Sequence, residues 1–326
     1  MRGAGAGGGE EGERVERGRR GEEATGEPAS LLVRVLSVLA LPISVVYGVV
    51  LAYWVFHSPR RPLLRQPRDV GLPGVELRVP VGGHKFVHAW LCPGRLDHLV
   101  VVGHEIGMNK DTSLDHAKFL HEAGYSVCLF DHRNHGSSSF DGSCRRLSDR
   151  FTHDVTAVVR YLRTERGYAS ARLAVYGFSF SGFAVLYSLT QDDDRFVDAV
   201  ICDSGPGADI SPLFRRFLDK GQVSIPPVLR EQPSRGVITS VVTFLGTAMV
   251  DAAWPPPGGD RYADVPILFL TGEQDCLVPS PSVDTLAAGY VRSEAYVLPN
   301  CGHLAGLRVE PEYRRIVLEF LKRALG

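Results

Sequence analysis

The chain has 326 residues, with 36 Lys and Arg against 37 Asp and Glu, so its formal net charge at pH 7 is −1. A charge this close to zero gives no reason to expect a nucleic-acid partner, because proteins that bind the phosphate backbone generally carry an excess of basic residues. The length suffices for one large domain with a sizeable core and a shorter appendage. The six cysteines have no paired-ligand spacing and favour neither a zinc site nor a disulfide framework.

The first part of the chain has two contrasting compositions. Residues 1–30 are mainly Gly, Glu and Arg, and we predict a disordered tail because they cannot bury a core. The composition changes at Leu31, and residues 35–56 are 22 consecutive uncharged positions. That length can span a bilayer as a helix, and the run lacks the small-residue cleavage site of a signal peptide. We therefore predict a single-pass transmembrane anchor over 31–57 and a linker over 58–74.

The orientation of this predicted anchor is not decided by its flanks. Arginines stand on both sides of the apolar run, so the bias of cytoplasmic loops towards basic residues does not choose between the two sides. The absence of paired cysteines favours a reducing compartment for the main domain.

From about residue 75, short β-rich runs alternate with amphipathic segments. Strands are predicted over 75–79, 86–91, 98–103, 125–130, 173–176, 199–202, 266–270 and 295–298, and helices over 114–123, 151–162, 183–189 and 313–321. Strands that alternate with helices imply an α/β fold with a mainly parallel sheet covered on both faces.

One long segment, at about residues 205–264, breaks this alternation because it contains no predicted strand. It holds an amphipathic piece at 213–218 and an uncharged run at 236–250. Long insertions of this kind in a compact domain are usually functional, so we predict a helical cap over the carboxyl edge of the sheet. The uncharged run is expected either to pack inside the cap or to form an apolar surface for an acyl chain or lipid.

The residues Gly177-Phe-Ser-Phe-Ser-Gly182 join a predicted strand to a predicted helix. A serine at the apex of a tight strand-to-helix turn is how many hydrolases present a nucleophile. Ser179 is therefore the candidate nucleophile, and Gly177 supplies the small neighbour that such a turn needs.

A nucleophilic serine requires a base and an acid that orients the base. Asp275 follows the predicted strand 266–270, and His303 follows the strand 295–298. Because the carboxyl ends of parallel strands meet at one edge of a sheet, we expect both side chains to lie near Ser179. Asp203, which also ends a strand, remains an alternative to Asp275 as the acid.

Together these motifs resemble the α/β-hydrolase family, from about residue 75 to the end of the chain. Besides the turn at 177–182, residues 272–279 (Gly-Glu-Gln-Asp-Cys-Leu-Val-Pro) resemble the acid loop of the family. Residues 130–137 (Phe-Asp-His-Arg-Asn-His-Gly-Ser) resemble its Asp-x-Arg-Gly-His-Gly-x-Ser turn, and 102–107 (Val-Gly-His-Glu-Ile-Gly) its His-Gly loop. The resemblance implies a mainly parallel eight-stranded sheet over 75–326 with helices on both faces and a cap at about 205–264.

The resemblance also implies an oxyanion hole made by the backbone N–H groups of Phe180 and Ile106. The sequence departs from the family pattern where Ser181, Asn134 and Glu105 stand in place of glycines. Asparagine tolerates left-handed backbone, whereas Glu105 puts the shape of the oxyanion loop in question. Other polar residues of these loops are expected to be structural, namely His104, His132, His135, Asp131 and Arg133.

The expected activity is that of a serine hydrolase acting on a carboxylic ester or thioester, with a lipophilic acyl group because of the predicted anchor and the apolar cap. The lysophospholipase-like and serine-aminopeptidase-like members of the family leave amide or peptide hydrolysis open. Acyl transfer to another acceptor and a non-catalytic binding module are further alternatives. The resemblance implies no cofactor and no metal.

Overall fold

The computed structural model describes residues 31–190, 197–220, 223–256 and 260–326, and the predicted disordered tail at 1–30 lies outside this part. Eight strands form one sheet in the order β1-β2-β4-β3-β5-β6-β7-β8. The strands are β1 Val75–Pro80, β2 Phe86–Cys92, β3 Arg95–Gly103, β4 Tyr125–Phe130, β5 Arg172–Phe178, β6 Ala199–Asp203, β7 Ile267–Gly272 and β8 Ser293–Leu298. Strand β2 runs antiparallel to β1 and to β4, and all other neighbouring strands are parallel. The predicted mainly parallel eight-stranded sheet is therefore confirmed.

Helices cover both faces of this sheet. In chain order they are α1 Leu31–Leu39, α2 Leu41–Phe56, α3 Leu114–Glu122, α4 Leu147–Glu165, α5 Phe180–Ser188, α6 Ser211–Asp219, α7 Pro227–Arg230, α8 Ser234–Val250, α9 Asp260–Ala263, α10 Ser280–Ala287, α11 Gly306–Val309 and α12 Tyr313–Leu325. Side chains of a strand alternate between faces, so Leu99 and Val101 join the core beneath α4 and α5. Val100 and Val102 join the second core, beneath α3 and α12.

Between β6 and β7, in the segment predicted as a helical cap, the described residues form helices α6 to α9 and no strand. The uncharged run at 236–250 lies within α8, whose buried residues Ile238, Val242, Gly246 and Val250 recur every four positions. This spacing places them on one helix face.

The single spanning helix predicted over 31–57 is not found. Helices α1 and α2 are bent by 68° relative to each other, with Ala40 between them and Pro42 in the first turn of α2. Proline has no N–H and its ring blocks the carbonyl of the preceding turn, which is why the helix breaks here. Within the described residues no single helix is long and apolar enough to cross a membrane, although this bent pair meets the length and composition requirement together.

The segment predicted as a linker, 58–74, contacts the domain through its backbone. The N–H groups of Leu64 and Arg65 donate to Asp111 Oδ2 at 2.6 and 3.3 Å. A short 3₁₀ helix, Pro67–Val70, then leads into β1.

Candidate active site

Ser179 occupies a strained turn between β5 and α5. Its φ of 51° and ψ of −116° lie in a region that few residues other than glycine adopt, and such strain is concentrated at functional sites. A Cβ on Gly177 would approach the carbonyl oxygen of Ser181 and the nitrogen of Gly182 to 2.6 Å. The close approach of these two chain segments therefore requires glycine at 177.

The loops after β7 and β8 bring Asp275 and His303 to this turn. His303 Nδ1 lies 2.8 Å from Asp275 Oδ2, and His303 Nε2 lies 3.1 Å from Ser179 Oγ. Asp275 is buried, and its Oδ1 accepts the N–H groups of Leu277 and Val278, each at 2.9 Å. The carboxylate is therefore fixed by its own loop while its other oxygen orients the imidazole.

Asp203, the alternative acid, lies at the end of β6 and contacts other groups. Its Oδ2 accepts from the hydroxyls of Tyr176 and Tyr313, and its Oδ1 accepts from Ser204 Oγ at 2.8 Å. Ser204 Oγ in turn accepts the N–H of Leu304, the residue after His303, at 3.0 Å. Burial raises the pKa of Asp203, and the hydrogen bonds from Tyr313 and Ser204 oppose this rise. Among the described residues, Asp275 and not Asp203 is hydrogen-bonded to the imidazole.

The loop after β3 carries Ile106 and lies beside the nucleophile turn, because Gly103 pairs with Gly177 in the sheet. Phe180 is the first residue of α5. The left-handed position of the loop is Gly107, with a φ of 77°, and Glu105 is not among the residues with positive φ. Glutamate at 105 therefore imposes no such backbone strain. The half-buried Glu105 accepts from Thr112 Oγ1 at 3.3 Å, and burial raises the pKa of its carboxyl.

Two buried histidines support this loop. His104 Nε2 accepts the N–H of His132 at 3.2 Å while its Nδ1 lies 2.7 Å from the carbonyl of Glu105. His135 Nε2 accepts the N–H of Gly107 at 3.0 Å. The pKa of His104 is lowered to about 4, mainly by burial and secondly by the neighbouring His132. Burial also lowers the pKa of His135 well below its usual value, so both act as neutral hydrogen-bonding groups, as predicted.

The sequence did not predict a contact of Ser181, the serine that stands where the family pattern has glycine. Its Oγ lies 2.9 Å from His132 Nε2, and His132 Nδ1 lies 3.6 Å from Asp154 Oδ2. Asp154 is also held by the Nε of Arg133 at 2.6 Å. All members of this second serine–histidine–aspartate array are buried. The signal for it was the hydroxyl that serine adds where the family has glycine.

Asn134 adopts a φ of 72°, which confirms that asparagine takes the left-handed position of its turn. Asp131 braces the same turn, because its carboxylate accepts the backbone N–H groups of Lys110 and Ser137 at 2.8 and 2.9 Å. All six cysteines are free. In the described part of the chain, no group of three or more His, Cys, Asp or Glu side chains is arranged to hold a metal ion.

A small apolar pocket lies beside Ser179. Its walls include Phe180, Phe183, Leu213 and Val278, and Asp209 is its charged lining residue. The enclosed volume is about 10 Å³, which is room for about one water molecule.

Comparisons with known proteins agree with this architecture. Residues 94–235 match the family model for serine aminopeptidase, S33. An uncharacterized protein of Mycobacterium tuberculosis, Rv2307c, is 26% identical over 309 residues, which cover 90% of this chain and 95% of that protein.

Solved structures share the fold at lower identity. The esterase Pf2001 of Pyrococcus furiosus superposes with a TM-score of 0.66 at 21% identity, covering 84% of this chain and 99% of its own. The 2-hydroxy-6-oxo-6-phenylhexa-2,4-dienoate hydrolase of Rhodococcus sp. strain RHA1 superposes with a TM-score of 0.57 at 17% identity, covering 77% and 99%. The chain therefore has the α/β-hydrolase fold, and the family resemblance seen in its motifs is confirmed.

Proposed function

We propose that this chain is a serine hydrolase that cleaves a carboxylic ester or thioester through an acyl-enzyme on Ser179. The observation that carries the proposal is the continuous hydrogen-bonded path from Ser179 through His303 to Asp275, with distances of 3.1 and 2.8 Å. A serine hydroxyl is a weak nucleophile that needs this arrangement of base and orienting acid.

The proposed reaction has two acyl-transfer steps. Ser179 Oγ attacks the carbonyl carbon while His303 Nε2 accepts its proton, and the imidazolium then protonates the leaving alcohol or thiol. In the second step His303 accepts a proton from water, whose oxygen attacks the acyl-serine, and Ser179 recovers its proton as the acid leaves. Asp275 holds the imidazole in the orientation that both steps require.

Charge on the carbonyl oxygen is stabilised in this proposal by the N–H groups of Phe180 and Ile106. Such donors, aimed at the position where negative charge develops, are usually the largest contribution to this chemistry. The adjacent carboxyl of Glu105 opposes that stabilisation when it is ionised, and burial raises the pKa of this carboxyl.

The proposed substrate carries a lipophilic acyl group, because the pocket beside Ser179 is walled by Phe183, Leu213 and Val278. The enclosed part of this pocket, about 10 Å³, has room only for the atoms next to Ser179. Leu213 belongs to α6, so the proposed acyl site is bordered by the cap segment.

The direct test is labelling by a serine-directed fluorophosphonate. We expect the wild-type chain and the Ser181→Ala variant to be labelled, because Ser181 is buried, and the Ser179→Ala variant to remain unlabelled. Labelling of the Ser179→Ala variant, or its loss in Ser181→Ala with the fold intact, would contradict the assignment of the nucleophile.

Amide hydrolysis is a second candidate, favoured by the match of residues 94–235 to a serine aminopeptidase model. The carboxylate of Asp209 in the pocket lining is suited to bind the ammonium of an aminoacyl substrate. Rates on short-chain esters, long-chain esters and an aminoacyl amide distinguish the two candidates. Preference for the amide, abolished by Asp209→Asn, would favour the second.

A further inference from the structure

The largest cluster of exposed apolar side chains is on the N-terminal helices. Of the 21 large hydrophobic residues exposed in the described part of the chain, 12 fall within residues 31–54. They include Leu39, Ile43, Val46, Val50 and Trp54, which are 40–70% exposed. We call the exposed side chains of α1 and α2 the apolar helix face.

An exposed face this apolar is unusual for a helix that packs on a domain in water. Such a helix normally has one apolar stripe towards the core and polar residues opposite. Helix α2 has no charged residue over its 16 positions. Its inner side is also partly made of small residues, since Ser44, Gly48 and Ala52 are buried. Apart from the buried Leu51, the larger aliphatic side chains of α2 are exposed, and no described residue covers them.

The inner side of α2 follows the cap helix α8. A Cβ on Gly48 would lie 2.9 Å from the side chain of Val241, so the two helices approach each other as closely as a glycine allows. At the first residue of α8, Ser234 Oγ donates to the carbonyl of Ser37 in α1 at 2.6 Å. Tyr47 Oη donates to the carbonyl of Ser224 in the cap at 2.7 Å.

The far end of α2 reaches the candidate active site. The ring of Phe56 packs edge-on against Phe180 and Phe214, with centroids 5.7 and 5.9 Å apart. Its carbonyl accepts from Asn134 Nδ2 at 3.4 Å, and His57 Nε2 lies 3.1 Å from the carbonyl of Ser143. The helix is thus attached to the domain along its length, and a bilayer-spanning position of α2 would break these contacts.

The charged residues within and directly after α1 and α2 in sequence are all basic, and one of them, Arg65, is paired with Asp115 at 3.1 Å. Residues 31–68 contain five arginines and no Asp or Glu. Arg34, Arg60 and Arg61 are exposed, and Trp54 lies between the aliphatic part of the face and the last two. An apolar surface bordered by an aromatic residue and then by arginines matches the chemistry of an anionic bilayer, whose headgroups attract basic side chains.

From these observations we propose that the apolar helix face docks in one leaflet of an anionic lipid bilayer, with α1 and α2 lying in the interface. Through the buried Phe56 the docked helices contact Phe180, the residue after Ser179, and the cap helix α6. This inference concerns the location of the protein and goes beyond the proposed activity.

The test is vesicle flotation of the full chain carrying Ser179→Ala, which makes the result independent of hydrolysis. The chain is diluted from detergent onto preformed vesicles of phosphatidylcholine alone or mixed with phosphatidylserine. The variant Ile43→Gln/Val46→Gln/Val50→Gln alters three side chains that are 62, 63 and 40% exposed. We expect it to lose at least tenfold in partition, because each glutamine removes apolar contact with the acyl region.

The matched control is Leu96→Gln/Val291→Gln/Val309→Gln, three side chains that are 64, 84 and 44% exposed elsewhere on the surface. We expect it to float as the parent does. Arg60→Gln/Arg61→Gln is expected to lose about fivefold per arginine on phosphatidylserine vesicles and little on phosphatidylcholine. Equal flotation of the triple variant and its control would overturn the proposal.

Two other occupants of the face give different results. A second copy of the chain would appear as a dimer by light scattering that dissociates in the Ile43→Gln/Val46→Gln/Val50→Gln variant, with no vesicle binding by the parent. A spanning helix would protect an N-terminal tag from protease added outside sealed vesicles. The proposal requires the tag to be cleaved completely while the chain remains bound, so either alternative result would overturn it.

Discussion

Two serine–histidine–aspartate arrays meet at the nucleophile turn, and they differ in access and in the link from histidine to aspartate. His303 Nδ1 lies 2.8 Å from Asp275 Oδ2, whereas His132 Nδ1 lies 3.6 Å from Asp154 Oδ2, beyond hydrogen-bonding distance. Ser179 Oγ lies 3.1 Å from the nearest nitrogen of its histidine, and Ser181 Oγ lies 2.9 Å from that of His132. Ser179 sits in the strained turn and borders the apolar pocket. Ser181 is two residues further on, inside α5, and is 1% exposed.

The same three residue types therefore do not by themselves make a reactive triad. In the buried array the hydroxyl cannot meet a substrate, and Arg133 pairs with the aspartate. The same residue types therefore serve there as a brace for the loop that carries Ile106. Substitutions in the two arrays should therefore affect different quantities, namely turnover for the Ser179 array and stability for the Ser181 array.

The largest expected effect is on turnover of an ester by the two serine variants. Ser179→Ala should lose at least about 10⁴-fold in kcat, as removal of a triad nucleophile generally does. Ser181→Ala should stay within about tenfold of wild type but be less stable by roughly 1–3 kcal/mol, because a buried nitrogen of His132 loses its partner. Ester hydrolysis and urea unfolding measure the two. Equal losses of turnover would remove the distinction between the arrays.

The two aspartates should show opposite behaviour. Asp275→Asn is expected to reduce kcat by about 10³–10⁴-fold with little change in stability, since the amide oxygen can still accept from the backbone of Leu277 and Val278. Asp154→Asn should reduce stability by roughly 1–3 kcal/mol, because the buried guanidinium of Arg133 loses one of its two carboxylate partners and keeps only Asp141. A variant of Asp203 serves as a control, since Asp203→Asn retaining activity agrees with Asp275 as the acid.

The free energy of unfolding should fall in mild acid because of His104, one of the histidines that hold the loop after β3. The pKa of His104 is about 4 in the folded chain, below the value near 6.5 of an unfolded histidine. The unfolded state therefore binds more protons between these values, and stability falls as the pH drops from about 6.5 towards 4. The slope is on the order of 1.4 kcal/mol per pH unit for each such histidine.

Urea unfolding at several pH values checks this slope. His104→Gln should flatten it, whereas the same change at the exposed His84 should leave it as in wild type. An unchanged slope in His104→Gln would contradict the neutral buried state of this side chain.

The smallest effect is expected at Glu105. Because its pKa is raised in the folded state, the protein is destabilised relative to a neutral side chain once the pH exceeds the normal glutamate pKa. Glu105→Gln should therefore raise Tm at pH 7 by on the order of 1–2 °C, and the gain should vanish near pH 4. Thermal unfolding measures it, with the exposed Glu165 changed to Gln as control. A lower Tm for Glu105→Gln at pH 7 would contradict the burial argument.

The sequence alone predicted all eight strands, because buried parallel strands are short apolar runs bounded by turn residues. It also placed Ser179, Asp275 and His303 at strand ends, and the shared edge of a parallel sheet brings such positions together whatever the details of packing. These predictions depend on local pattern and chain order, which a sequence contains.

Tertiary structure decided what depends on contacts between distant segments. Residues 31–57 look like a spanning helix because nothing in their composition shows that Gly48 will pack on Val241. Likewise, Ser181 meets His132, 49 residues away in sequence, only because β4 and β5 flank β3 in the sheet. Such pairings leave no periodic signal, since each partner satisfies its own local pattern equally well without the other.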